Sequence, residues 1–191
     1  AGSGPGPARG YGLEVAMSND GTRYVGGAPD DSTFAAFVGA LYVYGSQNFV
    51  LGPTGLVISN GVGIGSAVDM SGDGTVIVAG APSAGGGPLA YSGAAYVFTE
   101  VSPGSWTDEP LVPSVVVADA FFGSDVSISD DGARIAISSM GEGAVYVFER
   151  SGNAWVEIQR FSGFQGNIRF GQAIALAGDG SWLAAGAPGD Q

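Results

Sequence analysis

One block of sequence occurs four times, and that repetition constrains the chain more than any other feature. The block reads Tyr11-Gly-Leu-Glu-Val-Ala-Met-Ser-Asn-Asp20-Gly21 and runs on to Gly27-Ala28-Pro29. It returns as Ile64-Gly65, Asp73-Gly74 and Gly80-Ala81-Pro82, then as Phe122-Gly123, Asp131-Gly132 and Ser138-Ser139-Met140. The fourth copy is Phe170-Gly171, Asp179-Gly180 and Gly186-Ala187-Pro188. In each copy the first Gly stands eight residues before the Asp, and the Asp nine before the Pro or Met140. Three copies continue into a second element, Gly39-Ala-Leu-Tyr-Val-Tyr44, Gly93-Ala-Ala-Tyr-Val-Phe98 and Gly143-Ala-Val-Tyr-Val-Phe148. The copies start 53, 58 and 48 residues apart, so insertions fall between elements of fixed length.

Each element has the pattern of a strand. Val15/Met17, Val68/Met70, Val126/Ile128 and Ile174/Leu176 alternate with period two, as a half-buried strand does. The Asp-Gly pairs supply a tight turn, because Gly takes positive φ without strain and Asp tolerates it. A second strand such as Thr75-Val-Ile-Val-Ala79 ends at Gly-Ala-Pro, where Pro has no N–H for a ladder. The Tyr-Val-Tyr/Phe strand comes third. A fourth, outer strand is expected around Phe49, Trp106 and Trp155, with Gly152-Asn153 turning the chain before the last of these. Four antiparallel strands per repeat of about 50 residues is the period of a β-propeller blade. The expected fold is therefore all-β: blades of four antiparallel strands, about three and a half of them. The segments are a Gly/Pro-rich linker over 1–10, blades over 11–63, 64–121 and 122–169, and a partial blade over 170–191.

Composition narrows the function. Cys and His are both absent, which removes disulfides, thiolate and imidazole metal sites, Cys nucleophiles and every Ser-His triad. Six Arg, no Lys and 18 acids leave a net charge of −12, a poor match for nucleic acid or for anionic membranes. No run of apolar residues is long enough to span a bilayer as a helix. Gly and Pro are abundant, 35 and 10 of 191, yet only 13% of residues are charged and the mean hydropathy is +0.25. Apolar burial can then offset chain entropy, so the chain should fold with much of its Gly in turns.

Phe-Gly, Asp-Gly, Gly-Ala-Pro and Gly-Ala-x-Tyr-Val-Phe at these spacings resemble the FG-GAP repeat of the integrin α-subunit N-terminal propeller and its microbial and algal relatives. The likeness extends over residues 11 to 188. It implies a β-propeller on an extracellular or cell-surface protein, working as a non-enzymatic adhesion or interaction module. It also implies a protein or glycan partner. A glycan-binding lectin propeller, or a structural component of a surface filament or coat, is the alternative. The fourth copy stops after two strands, so the propeller is expected to be completed by further repeats or by another chain.

Many members of that family carry a calcium loop, Asp-x-Asp/Asn-x-Asp-Gly-x-x-Asp, between the first two strands. Ca²⁺ takes six to eight oxygens, several of them carboxylate, so the acids must alternate. The second copy keeps Asp69, Ser71 and Asp73, with Ile77 where the last carboxylate would stand. These three are the candidate ligands of a weak calcium site. The other loops begin with Ala16, Ser127 and Ala175, so Asp20, Asp131 and Asp179 are expected to be turn residues, and no cofactor is required.

Other motifs are weaker. Ser18-Asn-Asp-Gly-Thr22 and Ser71-Gly-Asp-Gly-Thr75 hold fragments of a sialidase Asp-box, with Gly one place early and no Trp following. A glycosidase needs two carboxylates across a cleft, and no pair among the 18 acids stands out. Gly85-Gly-Gly87 lacks the Lys-Ser/Thr of a phosphate loop. The glycines of Gly-Ala-Pro suit close packing between blades, and Tyr42, Tyr96 and Tyr146, repeating in register, suit the core.

What does not repeat is more informative for binding. Between the second and third strands, 30–38 carries two acids with Phe34 and Phe37, 83–92 is Gly-rich with Leu89 and Tyr91, and the third copy has only Gly141-Glu142. Surface aromatics are enriched at recognition sites, which makes Phe34, Phe37, Leu89 and Tyr91 the candidate ligand contacts. The alternative for them is packing back on the blade or against a neighbouring subunit.

Overall fold

The computed structural model describes residues 12–32, 38–45, 47–51, 63–163 and 169–188. Within them the chain is all-β, with fourteen strands in four antiparallel sheets and one short 3-10 turn at Gly87–Leu89. The first sheet holds β1 (Val15–Met17), β2 (Tyr24–Ala28), β3 (Ala40–Tyr44) and β4 (Phe49–Leu51). The second holds β5 (Ala67–Met70), β6 (Val76–Ala81), β7 (Ala94–Ser102) and β8 (Ser105–Leu111). The third holds β9 (Phe122–Ile128), β10 (Arg134–Ser139), β11 (Ala144–Ser151) and β12 (Ala154–Ser162). β13 (Ile174–Leu176) and β14 (Leu183–Ala185) form a two-stranded fourth sheet. Strands neighbour one another in chain order, so every connection inside a sheet is a hairpin. None of the described helices is long and apolar enough to cross a membrane.

The core lies between sheets. Val25, Leu41 and Val43 of the first sheet pack with Val68, Met70, Ile77 and Phe98 of the second. On the second sheet's other face, Val78 and Val97 meet Val126, Ile128, Ile135 and Phe148 of the third. β6 is consequently buried along its whole length, whereas in the outer strand β12 only Trp155 and Glu157 are partly covered and the rest are exposed. Each large apolar side chain enclosed in these layers contributes about 1.5–3 kcal/mol. The buried aromatics are tied edge to face: the Phe122 ring meets Tyr146 at 5.5 Å and Phe148 at 6.3 Å.

Backbone approach sets the sheet spacing. A Cβ on Gly27 would lie 2.0 Å from the Gly65 carbonyl oxygen, and one on Gly80 would lie 2.0 Å from that of Gly123. The Gly of Gly-Ala-Pro and the first Gly of the next copy's block are therefore two halves of one contact. At the third junction Ser138 replaces that Gly, and its hydroxyl donates to the Gly171 carbonyl.

Hairpin polarity gives the molecule two unlike ends. The Asp-Gly turns lie at one end of the strands. The β2–β3-type loops and the connections between sheets lie at the other.

Candidate functional site

At the turn end the four aspartates do the same job. Asp20 accepts from Ser18 Oγ at 2.7 Å and from the Thr22 amide at 2.9 Å. Asp73 accepts from Ser71 Oγ at 2.7 Å and the Thr75 amide at 2.9 Å, and Asp131 from Ser129 Oγ at 2.6 Å and the Ala133 amide at 2.9 Å. Asp179 accepts from the amide and hydroxyl of Ser181. Successive turns are stitched by backbone bonds: Asn19 N to the Gly72 carbonyl, Gly72 N to that of Asp130, and Asp130 N to that of Gly178. This is a scaffold, with its polar atoms committed to one another.

The three candidate calcium ligands do not share one orientation. Asp69 faces the third sheet, where Oδ2 accepts from the Ile128 amide at 2.8 Å and Oδ1 from the Met70 amide at 2.8 Å. Burial nevertheless pushes its carboxyl above the usual range. Ser71 Oγ donates to Asp73 and accepts from the Val76 amide. Among the described residues, no three acidic side chains gather where they could hold a metal. The same inter-sheet tie recurs at the third junction, where Asp125 accepts from the Ile174 amide at 2.7 Å and Ser127 Oγ from that of Leu176 at 3.0 Å.

The loop end is built differently. The 3-10 turn at Gly87–Leu89 carries the chain to Tyr91, and the β8–β9 connection runs beside it. Asp119 N donates to the Ala90 carbonyl, Phe121 N to that of Tyr91 and Phe122 N to that of Ser92, at 2.9, 2.9 and 3.0 Å. These bonds bring Tyr91 and Phe121 into a stack, with centroids 5.8 Å apart and planes 29° from parallel. Tyr91 remains 51% exposed and Leu89 44%. Beyond them Val115, Val116 and Val117 are exposed along the same connection.

That platform is strained. Tyr91, Asp119 and Phe121 have φ of 53°, 56° and 52°, and they are the non-glycine residues with positive φ among those described. Left-handed backbone costs an L-residue about 1–2 kcal/mol, and such residues concentrate where a surface is shaped for function. Phe121 occupies the place that Gly63, with φ of 63°, holds in the preceding copy. Gly141 holds the other side. A Cβ there would fall 1.8 Å from the Asp119 carbonyl oxygen and 2.8 Å from Phe121 Cδ2. The Ala120 carbonyl accepts from both Gly141 N and Ser139 Oγ at 3.0 Å.

Beside the platform a charged cluster closes the third sheet. The Tyr146 hydroxyl donates to Glu142 Oε2 at 2.8 Å and accepts from Arg160 Nε at 3.1 Å, while Arg160 pairs with Glu142. Burial, reinforced by the bond to Glu142, pushes Tyr146 up to about 12. In the first sheet the Tyr42 hydroxyl donates to the buried Asp31 at 2.8 Å. Tyr96 and Tyr146 are buried, and Tyr42 partly so, matching the expectation that the tyrosines in register belong to the core. Between the first two sheets, Arg23, Glu100, Gly104 and Trp106 line a cleft of about 60 Å³, room for a few waters at most.

Of the four candidate ligand contacts, Leu89 and Tyr91 stand on this platform, and Phe34 and Phe37 lie outside the described residues. Phe121, the stacking partner, was not singled out from the sequence. The available signal is the doubled Phe121-Phe122, which puts a bulky residue where another copy has Gly.

No family model matches the chain, and no curated protein does. Among solved structures, 238 chains match. One is a hydrazine synthase chain of Kuenenia stuttgartiensis, similar at a TM-score of 0.57 and 14% identity. The match takes in 90% of this chain and 54% of that one, so the chain spans about half the length of that structure. At 14% identity the likeness is one of fold, and fold by itself does not assign function.

Proposed function

We propose that the chain is a non-enzymatic interaction module of the integrin-α-like FG-GAP propeller type, its four sheets being consecutive blades. It works at the cell surface or outside the cell and binds a protein or glycan through its loop end. The observation that carries this reading is the Tyr91–Phe121 stack, held in left-handed backbone with Tyr91 exposed to solvent. A stiff aromatic pair presents large contact area with little conformational entropy left to lose, which is what a recognition anchor needs. Nothing in the reading requires a cofactor, and the net charge of −12 disfavours nucleic acid and anionic lipid as partners.

A lectin is the second reading, and the exposed face of Tyr91 favours it, because a sugar ring stacks on such a face. A glycan array and binding to intact cells, run with wild type, Tyr91→Ala and Phe121→Ala, separate the two. The expected result is binding that falls at least tenfold in both variants, with the midpoint of Tyr91→Ala close to that of wild type and Phe121→Ala less stable but still folded at the assay temperature. Undiminished binding by both variants, or turnover of chromogenic glycosides by the wild type, would sink the proposal.

A further inference from the structure

Equivalent positions of the repeat are covered in the middle of the molecule and bare at its two outer faces. Val15, Met17 and Tyr24 of the first sheet are 63%, 62% and 46% exposed. Their counterparts Val68, Met70 and Ile77 are 5%, 5% and 0% exposed, and Val126, Ile128 and Ile135 are 5%, 5% and 0%. At the far side Ala184 is exposed, whereas Val25, Val78 and Ala136, which hold the same place, are fully buried.

The bare groups are the two halves of one junction. Arg23 and Arg134 donate to the carbonyls of Gly74 and Gly180, in the Asp-Gly turn of the following sheet, and Val76 lies against Gly132 there. In the fourth sheet that place belongs to Trp182, which is 79% exposed. Among the described residues, a Cβ on its natural target, the turn glycine Gly21, would meet no atom of another sheet within 4 Å. Gly27 and Gly80 press on Gly65 and Gly123, yet among the described residues Gly186 meets only its own hairpin and a Cβ on Gly12 would meet nothing within 4 Å. The run of turn-to-turn bonds ends with Gly178 N at one side and the Asn19 carbonyl at the other; among the described residues neither has a partner. Each contact of an internal junction thus has one half at the first face and the other at the last.

We propose that these faces dock on each other between copies of this chain, the β13–β14 hairpin of one copy seated on β1–β2 of the next. Trp182 then covers the Asp20-Gly21 turn, Gly186 meets Gly12, and Gly178 N donates to the Asn19 carbonyl. Ala175, where Asp69 and Ser127 supply acceptors at internal junctions, matches the first junction, where Ala16 holds the place. The interface continues a packing the chain already makes three times, which is why the occupant is a second copy. It is head-to-tail, so it closes into a ring if the rotation permits and grows into a filament if it does not. The inference rests on the sheet junctions and not on the loop end, and either reading can fail without the other.

Sedimentation velocity on the 191-residue chain tests it. Wild type is expected to sediment as a dimer or larger. Met17→Asp and Trp182→Asp change exposed side chains, so both should fold, with unchanged circular dichroism, and each alone should be a monomer. Mixed together, they retain one good face each and should form a dimer and nothing larger. A wild type monomeric at every concentration, a variant that still self-associates, or a mixture that stays monomeric overturns the proposal.

Discussion

The turn end and the loop end of this molecule follow opposite rules. At the turn end Ser18, Ser71 and Ser129 bond to the aspartate two residues on, and the positive-φ positions Gly21, Gly74, Gly132 and Gly180 are all glycine. At the loop end the sequences of the connections differ from copy to copy, and Tyr91, Asp119 and Phe121 hold backbone that favours Gly. Between its first and last turns the repeated end pairs its polar groups with one another and joins neighbouring sheets. The divergent end stores strain and shows aromatic surface to solvent. The contrast teaches where to look for function: at the places where one copy breaks the local rule that its siblings keep.

The largest expected effect breaks the repeated packing itself. In Gly80→Ala the new Cβ would fall 2.0 Å from the Gly123 carbonyl oxygen, and backbone on both sides must give. The expected cost is about 3 kcal/mol, at the upper end for overpacking, or a fall of roughly 10 °C in thermal midpoint. Gly186→Ala is the control when both substitutions are made in the Trp182→Asp chain, where no second copy meets Gly186; its nearest neighbours then lie at 3.5 Å or beyond, and it should leave the midpoint nearly unchanged. Equal effects from the two substitutions would show that the close Gly–Gly contact does not set the sheet spacing.

The same contrast explains what the sequence made legible. Strand, turn and Gly-Ala-Pro spacing foretold the order of strands, the outer strands near Phe49, Trp106 and Trp155, and the all-β class, because each rests on local φ preference and period-two burial. The Tyr91–Phe121 stack was half visible. Tyr91 is visible as a loop aromatic, but its partner lies thirty residues on and reaches it through bonds between two loops that no local rule dictates. Asp69 shows the converse limit. Its spacing suits a cation loop, while its carboxylate meets an amide of the neighbouring sheet, a contact that periodicity cannot announce.

At the loop end the contrast sharpens through Phe121→Gly, which restores the residue type found at Gly63. Removing a packed aromatic ring ordinarily costs about 3–5 kcal/mol. Here relief of the left-handed strain, about 1–2 kcal/mol, offsets part of that loss, so chemical denaturation should show a cost of only about 2 kcal/mol. Phe121→Ala keeps a Cβ in the strained place and should be less stable than Phe121→Gly. If the Ala variant is the more stable one, the strain at this position is not what the backbone indicates.

A smaller effect comes from acid. Burial of Asp73 works to raise its pKa, but the bonds from Thr75 and Ser71 outweigh it and hold the group below its ordinary 3.8. Its contribution is therefore present above that value and lost as pH falls through the lower, folded-state pKa. Asp69 and Asp125, raised by burial, act in the opposite sense: they favour folding below 3.8 and lose that contribution as pH rises through their raised values. Asp73→Asn should lower the midpoint by a few degrees at neutral pH, and the gap from wild type should narrow as the pH is taken below 3.8. A gap that stays constant or widens in acid contradicts the turn-lock role of the carboxylate.

The smallest expected effect is that of chelation, and it separates a turn from a cation loop. Ca²⁺ bound only to the folded state would raise the midpoint with its concentration, and EDTA would lower it again. The second-copy loop already spends its oxygens elsewhere: Asp73 accepts from Ser71 and Thr75, and Asp69 from Ile128 and Met70. A cation would have to compete with those donors, and Ile77 gives it no final carboxylate. Differential scanning calorimetry in EDTA and in excess Ca²⁺ should therefore return the same midpoint within error. A rise of many degrees in Ca²⁺, abolished by Asp73→Ala and by Asp69→Ala alike, would mean that the loop rearranges to gather both carboxylates on one ion. The turn end would then carry a ligand after all, and the division between a structural end and a binding end would no longer hold.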